Sequence, residues 1–287
     1  MKEYFEIIKI ISDELALVDN GLKRIINSFQ GDFVLNFSDF VLENSKKIRS
    51  VTTILFLKSA FGKVTDRQIK ICALTELLHN ASLIHDDVVD NSDTRRGKPS
   101  FKSLYGSKKA VLTGDFLLSL CLKELADMNN TEIVQIFANS MANICNGELF
   151  QLENLGKIPS LEDYLLKSEQ KTAELFKTAL ICSLICENQS DYAEKAAVFA
   201  TNFGIAFQIY NDLQNVLGKK ENSDLENGIY TAPVIFSQNP SNALDGIEKT
   251  TCLLNNYVSK AKNAVSDFKN SDFKDSLLNL LELYGYE

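Results

Sequence analysis

The sequence predicts an all-α protein, folded as a large single-domain helical bundle. Its 287 residues include only four prolines, and long stretches carry neither proline nor clustered glycine, which favours long helices over many short strands. Apolar residues recur at helical spacing, first between about residues 4 and 29 and later in two amphipathic helices after about residue 241. No linker or shift of composition divides the chain, so we expect one domain spanning residues 1–287, although the length alone would allow two.

Composition and charge argue against several classes of partner. The net charge of −8 disfavours nucleic acid and anionic membrane surfaces. The apolar run at residues 51–57 is far too short to span a bilayer, and the N-terminus begins an amphipathic pattern rather than a signal peptide. Six scattered cysteines form no CxxC or Cys/His cluster, which favours free thiols in a reducing compartment. We expect a cytoplasmic protein with no nucleic-acid partner and no stable membrane insertion.

The chemistry is concentrated in residues 77–90. As a helix, this stretch places Asp86 and Asp90 four residues apart on one face, with Ser82, His79 and Thr75 on nearly the same face. These five residues form the first polar stripe. Like charges at this spacing repel, and the C-terminal end of a helix disfavours anions, so a bound cation would relieve both penalties. Carboxylates combined with substrate phosphates are the usual ligands of Mg²⁺. The stretch therefore predicts a Mg²⁺–diphosphate site; the alternative is a solvated helix end that runs into a charged loop.

A second polar stripe lies on the predicted helix of residues 202–215. Gln208, Asn211, Asp212 and Asn215 fall on one flank of this helix. An asparagine carbonyl can ligate Mg²⁺, but it carries no charge and should bind more weakly. Asp212 is therefore the one carboxylate that this stripe offers to a metal.

The first stripe, with its surroundings, resembles the first aspartate-rich motif of the trans-isoprenyl diphosphate synthases. Asp-Asp-x-x-Asp at residues 86–90 is followed by Arg-Arg-Gly at residues 95–97. Six further segments are similar to the family in order and spacing: residues 44–50, 111–118, 146–151, 164–176, 202–215 and 223–235. The resemblance implies a helical bundle of the isoprenoid synthase type, in which both stripes face a central cavity, and it implies a homodimer.

The resemblance also assigns residues to two diphosphate sites. Isopentenyl diphosphate would be bound by Lys46, Arg49, His79 and Arg96. The allylic diphosphate would be bound by Arg95, Lys171 and Thr172, and Gln208 would also contact substrate. Mg²⁺ would be bound by Asp86, Asp90 and Asp212. The residues expected to be catalytic are Asp86, Asp90, Lys171 and Arg95.

The implied activity is chain elongation, in which isopentenyl diphosphate is joined to an allylic diphosphate with Mg²⁺ as cofactor. Ala81 and Ser82 are small where the family places a Phe or Tyr to stop growth at short products. Because both lie about one turn below Asp86, we expect a product of roughly six to ten isoprene units. The alternative is that these two residues are small only to allow close helix packing.

Three other functions stay open. A short-chain synthase would make farnesyl or geranylgeranyl diphosphate. A class I terpene cyclase would share the fold and the first stripe, but it needs no second diphosphate site. Lys46, Arg49 and Arg96 would form such a site, so they argue against a cyclase. A weakly active subunit that regulates an active partner is favoured by the two asparagines of the second motif and by Ile229, which stands where many relatives have a diphosphate-binding lysine.

Overall fold

Helices form most of the chain that the computed structural model describes, namely residues 2–29, 46–95, 97–218 and 224–285. The α-helices in these ranges are α1 (Lys2–Ile8), α2 (Ser12–Ile26), α3 (Ile48–Phe61), α4 (Asp66–Val89), α5 (Phe101–Tyr105), α6 (Ser107–Ala126), α7 (Thr131–Glu153), α8 (Leu161–Ser168), α9 (Glu174–Ile185), α10 (Ala193–Val216), α11 (Ala232–Ser237), α12 (Ile247–Ala264) and α13 (Asp272–Leu283). The only strands in the described ranges are the antiparallel pair β1 (Thr94–Arg95) and β2 (Lys98–Pro99). The all-α prediction is confirmed.

Helix α4 is the central element of the bundle. Thr65 caps its N-terminus: the Thr65 hydroxyl accepts a hydrogen bond from the backbone N–H of Gln68, and the Gln68 side chain accepts one from the backbone N–H of Thr65, which forms a capping box. From Ile69 to Leu78 nearly every residue is buried, packed among α2, α3, α6 and α9. The last turn is more open, so the carboxylates of the first stripe emerge where the helix ends.

Helix α10 carries the second stripe and is anchored by aromatic residues on its other side. Phe199, Phe203 and Phe207 follow one another at four-residue spacing, with ring centroids 6.0 and 6.4 Å apart. Phe176 of α9 packs edge-on against Phe203 at 5.2 Å, an arrangement that aromatic rings favour. This packing fixes the rotation of α10 and so fixes the direction of its polar flank.

A π-helical turn, Glu169–Ala173, joins α8 to α9 and lies between two glycines. A Cβ on Gly204 of α10 would lie 2.4 Å from the Cα of Ala173, and one on Gly147 of α7 would lie 3.3 Å from the backbone nitrogen of Lys171. Only glycine at position 204 allows the two backbones to approach this closely. Such turns are frequent at functional sites, and this one carries Lys171 and Thr172.

The two ends of the described chain agree with the predicted pattern, with one difference. The N-terminal helix is interrupted by a 3₁₀ turn at Lys9–Ile11 and ends at Ile26; the interruption occurs because Ile11 leaves the helical region, with φ −124° and ψ 21°. The two helices after residue 241 are present as α12 and α13. No helix within the described residues has both the length and the hydropathy needed to cross a membrane.

Candidate active site

The first stripe places Asp86 and Asp90 near Lys171 of the π turn. Burial raises the pKa of Asp86 to about 6; the Lys171 ammonium opposes this rise, and the Glu148 carboxylate adds to it. Burial also raises the pKa of Asp90, with opposing and reinforcing contributions from the same two groups. Negative charge at the end of α4 is therefore only partly compensated by the protein itself.

Asp87, which lies between these two aspartates, has a different role. Its side chain is fully buried, and its Oδ1 accepts hydrogen bonds from Nε and an Nη of Arg95, each at 2.7 Å. The resemblance places Arg95 at the allylic diphosphate, and the structure shows what holds this side chain beside the first stripe. Asp87 positions the arginine, a contact that the sequence pattern did not suggest.

The second stripe centres on Asp212, which is only 1% exposed. Its Oδ2 accepts a hydrogen bond from the Tyr164 hydroxyl at 2.6 Å, and its Oδ1 accepts one from Nε2 of Gln208 at 2.8 Å. Oε1 of Gln208 in turn accepts a hydrogen bond from the Thr172 hydroxyl at 2.8 Å. Burial raises the pKa of Asp212 to about 6, although Lys167 and the Tyr164 hydroxyl oppose this rise.

Two lysines of the α8–π segment are held by one segment of α7. Lys171 forms an ion pair with Glu148, and Glu148 also accepts a hydrogen bond from Nε2 of Gln151 at 3.2 Å. Oε1 of Gln151 lies 3.4 Å from Nζ of Lys167. The Gly-Glu-x-x-Gln segment of residues 147–151 therefore orients two ammonium groups with a single carboxylate.

Lys167 and Glu148 were not among the predicted site residues. The four-residue spacing from Lys167 to Lys171 is the sequence feature that could have indicated Lys167.

These groups surround one cavity of about 100 Å³. The cavity brings together parts of both stripes and both lysines; its polar lining includes Asp90, Lys167, Lys171, Thr172, Gln208, Asp212 and Asp224. Ile229 also lines it. Outside the stripes, Asp224 accepts a hydrogen bond from the Asn215 amide at 3.0 Å, which brings a carboxylate close to a position where the second motif has lost one.

Three further predicted residues that the structure describes, Lys46, Arg49 and His79, do not line this cavity. Arg49 is buried, with its guanidinium 5.1 Å from the ring centroid of Phe176. The backbone carbonyl of Lys46 accepts a hydrogen bond from the Tyr4 hydroxyl, which ties α1 to the start of α3. His79 is half-buried. Arg96 lies outside the described residues.

The two residues assigned to chain length, Ala81 and Ser82, lie on α4 about one turn before Asp86. Ala81 is fully buried, and the Ser82 hydroxyl donates a hydrogen bond to the backbone carbonyl of His79 at 2.8 Å. Neither residue has a bulky side chain, and the hydroxyl of Ser82 is held against its own helix.

The carboxylates of Asp86 and Asp90 fit a Mg²⁺ ion whose remaining ligands come from a substrate phosphate and water. No three His, Cys, Asp or Glu side chains in the described ranges are grouped so that they could hold a metal ion. Mg²⁺ is usually bound by one or two carboxylates together with phosphate oxygens and water rather than by an all-protein cage. Asp86 and Asp90, whose charge the protein leaves partly uncompensated, match this requirement.

Sequence and structure comparisons agree on one family. The family model for polyprenyl synthetases matches residues 33–270, and the chain belongs to this family. It is 34% identical over 252 residues to a probable mitochondrial hexaprenyl pyrophosphate synthase of Neurospora crassa, covering 74% of this chain and 56% of that protein. The chain therefore spans little more than half the length of that relative.

Two crystal structures show the same fold. A heptaprenyl diphosphate synthase from Staphylococcus aureus superposes with a TM-score of 0.85 at 27% identity, covering 95% of this chain and 97% of that one. A polyprenyl synthase from Caulobacter crescentus CB15, complexed with calcium and isoprenyl diphosphate, superposes with a TM-score of 0.86 at 25% identity, covering 98% and 97%. The isoprenoid synthase type of bundle predicted from the sequence is confirmed.

Proposed function

We propose that the protein is a Mg²⁺-dependent trans-prenyltransferase that condenses isopentenyl diphosphate with an allylic diphosphate and makes a long-chain polyprenyl diphosphate. The observation that carries this proposal is the cavity between α4, the π turn and α10. Carboxylates from two helices meet the buried ammonium of Lys167 and the half-buried ammonium of Lys171 there, which is the combination needed to bind a diphosphate together with divalent cations.

The allylic diphosphate would lie between the first stripe and the π turn. Asp86 and Asp90 would hold the divalent cation that binds it, Lys171 and Arg95 would donate hydrogen bonds to its oxygens, and Thr172 and Gln208 would line the same side. Asp86, Asp90 and Asp212 would hold Mg²⁺, which, when bound, would supply positive charge to stabilise the leaving diphosphate. These side chains hold the allylic C–O bond in a fixed position, and such positioning supplies a large part of the rate.

Isopentenyl diphosphate would be bound by Lys46, Arg49, His79 and Arg96. Arg49 supports this part of the proposal because its buried guanidinium lies over the ring of Phe176. A guanidinium stacked on an aromatic ring is pre-oriented for planar recognition of phosphate. The double bond of isopentenyl diphosphate would then face the allylic carbon, and the new bond would form as the allylic C–O bond breaks. The proton released from the product would pass to the departing diphosphate.

The long product rests on Ala81 and Ser82. A chain that grows away from the diphosphates along α4 meets no bulky side chain at these two positions. The Neurospora crassa and Staphylococcus aureus relatives are named as hexaprenyl and heptaprenyl synthases, which supports a product in the same range.

A homodimer is also part of the proposal. Apolar side chains stand exposed on neighbouring helices α6 and α7, among them Leu112, which is 68% exposed, and Leu122, Leu149 and Leu152. Exposed apolar patches on soluble proteins mark interaction surfaces, and a second copy of the same pair of helices would cover this one. Sedimentation at micromolar concentration tests this part independently of activity.

Location and domain organisation complete the proposal. All six cysteines lie in the described ranges and are free thiols, which supports a reducing compartment and hence the cytoplasm; cell fractionation tests it against the organelle named for the Neurospora crassa relative. The single domain over residues 1–287 is supported by fold matches that cover 95% of the chain or more.

One incubation tests the function. The purified protein alone is mixed with Mg²⁺, farnesyl diphosphate and labelled isopentenyl diphosphate, and the products are separated by chromatography. Longer prenyl diphosphates are expected. Products limited to geranylgeranyl diphosphate would show a short-chain synthase, a hydrocarbon would show a cyclase, and either would contradict the proposal.

A second candidate function has one observation in its favour. Asn211 and Asn215 replace two carboxylates of the second motif, and Ile229 lines the cavity where a lysine would bind phosphate. If the protein alone gives no product, but accelerates the reaction of a co-purified active subunit, it is a regulatory partner and not a synthase.

A further inference from the structure

Lys167 of α8 is a buried ammonium group that faces the cavity. The residue is 8% exposed, and it lines the cavity together with Lys171 and Asp212. Its Nζ lies 3.4 Å from Oε1 of Gln151 and 5.6 Å from the ring centroid of Tyr164. In the described ranges no carboxylate forms an ion pair with it.

Another lysine shows how this protein treats a buried ammonium that needs no ligand. Lys274 is also 8% exposed, and its Nζ donates hydrogen bonds to the backbone carbonyls of Ser266 and Phe268 at 2.8 and 2.7 Å. Lys171, the neighbour of Lys167 in the cavity, forms an ion pair with Glu148. Lys167 has one long hydrogen bond to a neutral amide and the ring of Tyr164, although burial of an unpaired charge is costly.

The position of Lys167 suits an anion that lies between the two stripes. Lys167 and Lys171 are four residues apart, and both line the cavity. The carboxylates on the facing side, Asp90, Asp212 and Asp224, surround the same space. If cations were held by Asp90 and Asp212, the negative charge near the ammonium of Lys167 would be neutralised, and the ammonium would need an anionic partner of its own.

We propose that Lys167 donates a charge-assisted hydrogen bond to the diphosphate of the allylic substrate, beside Lys171. This inference rests on the prenyltransferase function proposed above. Ile229, in the wall of the same cavity, offers no donor to phosphate, so Lys167 supplies a cation that this wall lacks. Gln151 holds the ammonium in place until the substrate arrives.

The test compares Lys167→Met with Lys274→Met, a matched replacement of an equally buried lysine outside the cavity. Binding of farnesyl S-thiolodiphosphate, an analogue that does not ionise, is measured by calorimetry in Mg²⁺, and melting temperature is measured without ligand. Lys167→Met should bind the analogue roughly tenfold to a hundredfold more weakly, as expected for loss of a hydrogen bond to a charged group, with a melting temperature equal to or above the parent's. Lys274→Met should melt lower and bind the analogue as the parent does.

Further variants keep the test decisive. Lys167→Arg retains the charge and should recover part of the affinity, and Lys167→Gln replaces Lys167→Met if the latter does not fold. KM for isopentenyl diphosphate should stay within about twofold of the parent in a folded Lys167 variant, because that substrate is bound elsewhere.

Two results would overturn the inference, and they are distinguishable. A parent that elongates farnesyl diphosphate, with a Lys167→Met variant that binds the analogue equally well but melts lower, would make Lys167 a structural counter-ion of Asp212 only. A parent that neither binds the analogue nor elongates farnesyl diphosphate would remove the proposed function, and the inference with it.

Discussion

Replacing Asp212 by asparagine should stabilise the metal-free protein at neutral pH while it weakens activity. The carboxylate is completely buried against Tyr164 and Gln208, and both donate hydrogen bonds to it. An asparagine fits the same space. Its Oδ1 can accept from Tyr164, and its amide NH₂ can donate to Gln208 if the Gln208 amide reverses and then donates to the Thr172 hydroxyl. The contacts to Tyr164 and Gln208 are kept, so the main change is the loss of one buried negative charge.

The size of the gain follows from the pKa of Asp212. Burial raises this pKa from its ordinary value of 3.8 to about 6, against the opposing effects of Lys167 and Tyr164. Since the folded state binds the proton more tightly than the unfolded state, this carboxyl favours folding at low pH, and its contribution is lost as the pH rises through about 6. One pKa unit corresponds to about 1.4 kcal/mol, so the ionised carboxylate lowers the free energy of unfolding by up to about 3 kcal/mol.

Urea unfolding in EDTA, at two pH values, measures this difference. Asp212→Asn should exceed the parent by up to about 3 kcal/mol at pH 7.5 and by only about 1 kcal/mol at pH 4.5. Asp267→Asn is the control: its exposed carboxylate pairs with Lys195, and hydrogen bonds from that lysine lower its pKa, so this variant should lose stability at neutral pH. An Asp212→Asn variant that is less stable than the parent at pH 7.5, or whose difference is the same at both pH values, would refute the reasoning.

Three further substitutions probe the metal and the product. Asp86→Ala should lower turnover by at least about two to three orders of magnitude, as for loss of a major transition-state stabiliser, without harm to folding; unchanged steady-state rates would contradict its assignment. Asn211→Asp should lower the Mg²⁺ concentration for half-maximal rate, because a charged ligand binds the ion more tightly than an amide carbonyl; identical Mg²⁺ titrations would place Asn211 away from the metal. Ala81→Phe should shorten the product while the first condensation continues, because the ring would block the growing chain without touching the diphosphates; a parental product distribution on chromatography would show that the chain does not pass Ala81.

Local spacing predicts where the residues of the two stripes lie on their helices. The four-residue interval between Asp86 and Asp90 predicts that both lie on one face of α4, and the structure places both near Lys171. Long apolar runs without proline predict α4 and α10. Each of these helices is longer than twenty residues and is buried on most sides, so its sequence is apolar over many turns. These features depend on residues that are close in sequence, which is where helical periodicity is informative.

Contacts between distant segments were not predictable in the same way. Tyr164 reaches Asp212 across 48 residues, and nothing in either segment indicates the other. Asp87 is one residue from Asp86, yet its rotation around the helix takes it to Arg95 instead of the cavity. Lys167 on an amphipathic helix is by default an exposed lysine, and only the π turn and α7 around it reveal that it is buried.

The central claim is that Asp86 and Asp90 bind the allylic diphosphate through a divalent cation. A crystal grown with Mn²⁺ and farnesyl S-thiolodiphosphate tests it most directly, since Mn²⁺ substitutes for Mg²⁺ at sites of oxygen ligands and is visible by anomalous diffraction. We expect an anomalous peak within coordination distance of carboxylate oxygens of Asp86 and Asp90 and of a diphosphate oxygen, with the prenyl tail directed along α4 towards Ala81. A diphosphate bound with no peak at these two aspartates would contradict it.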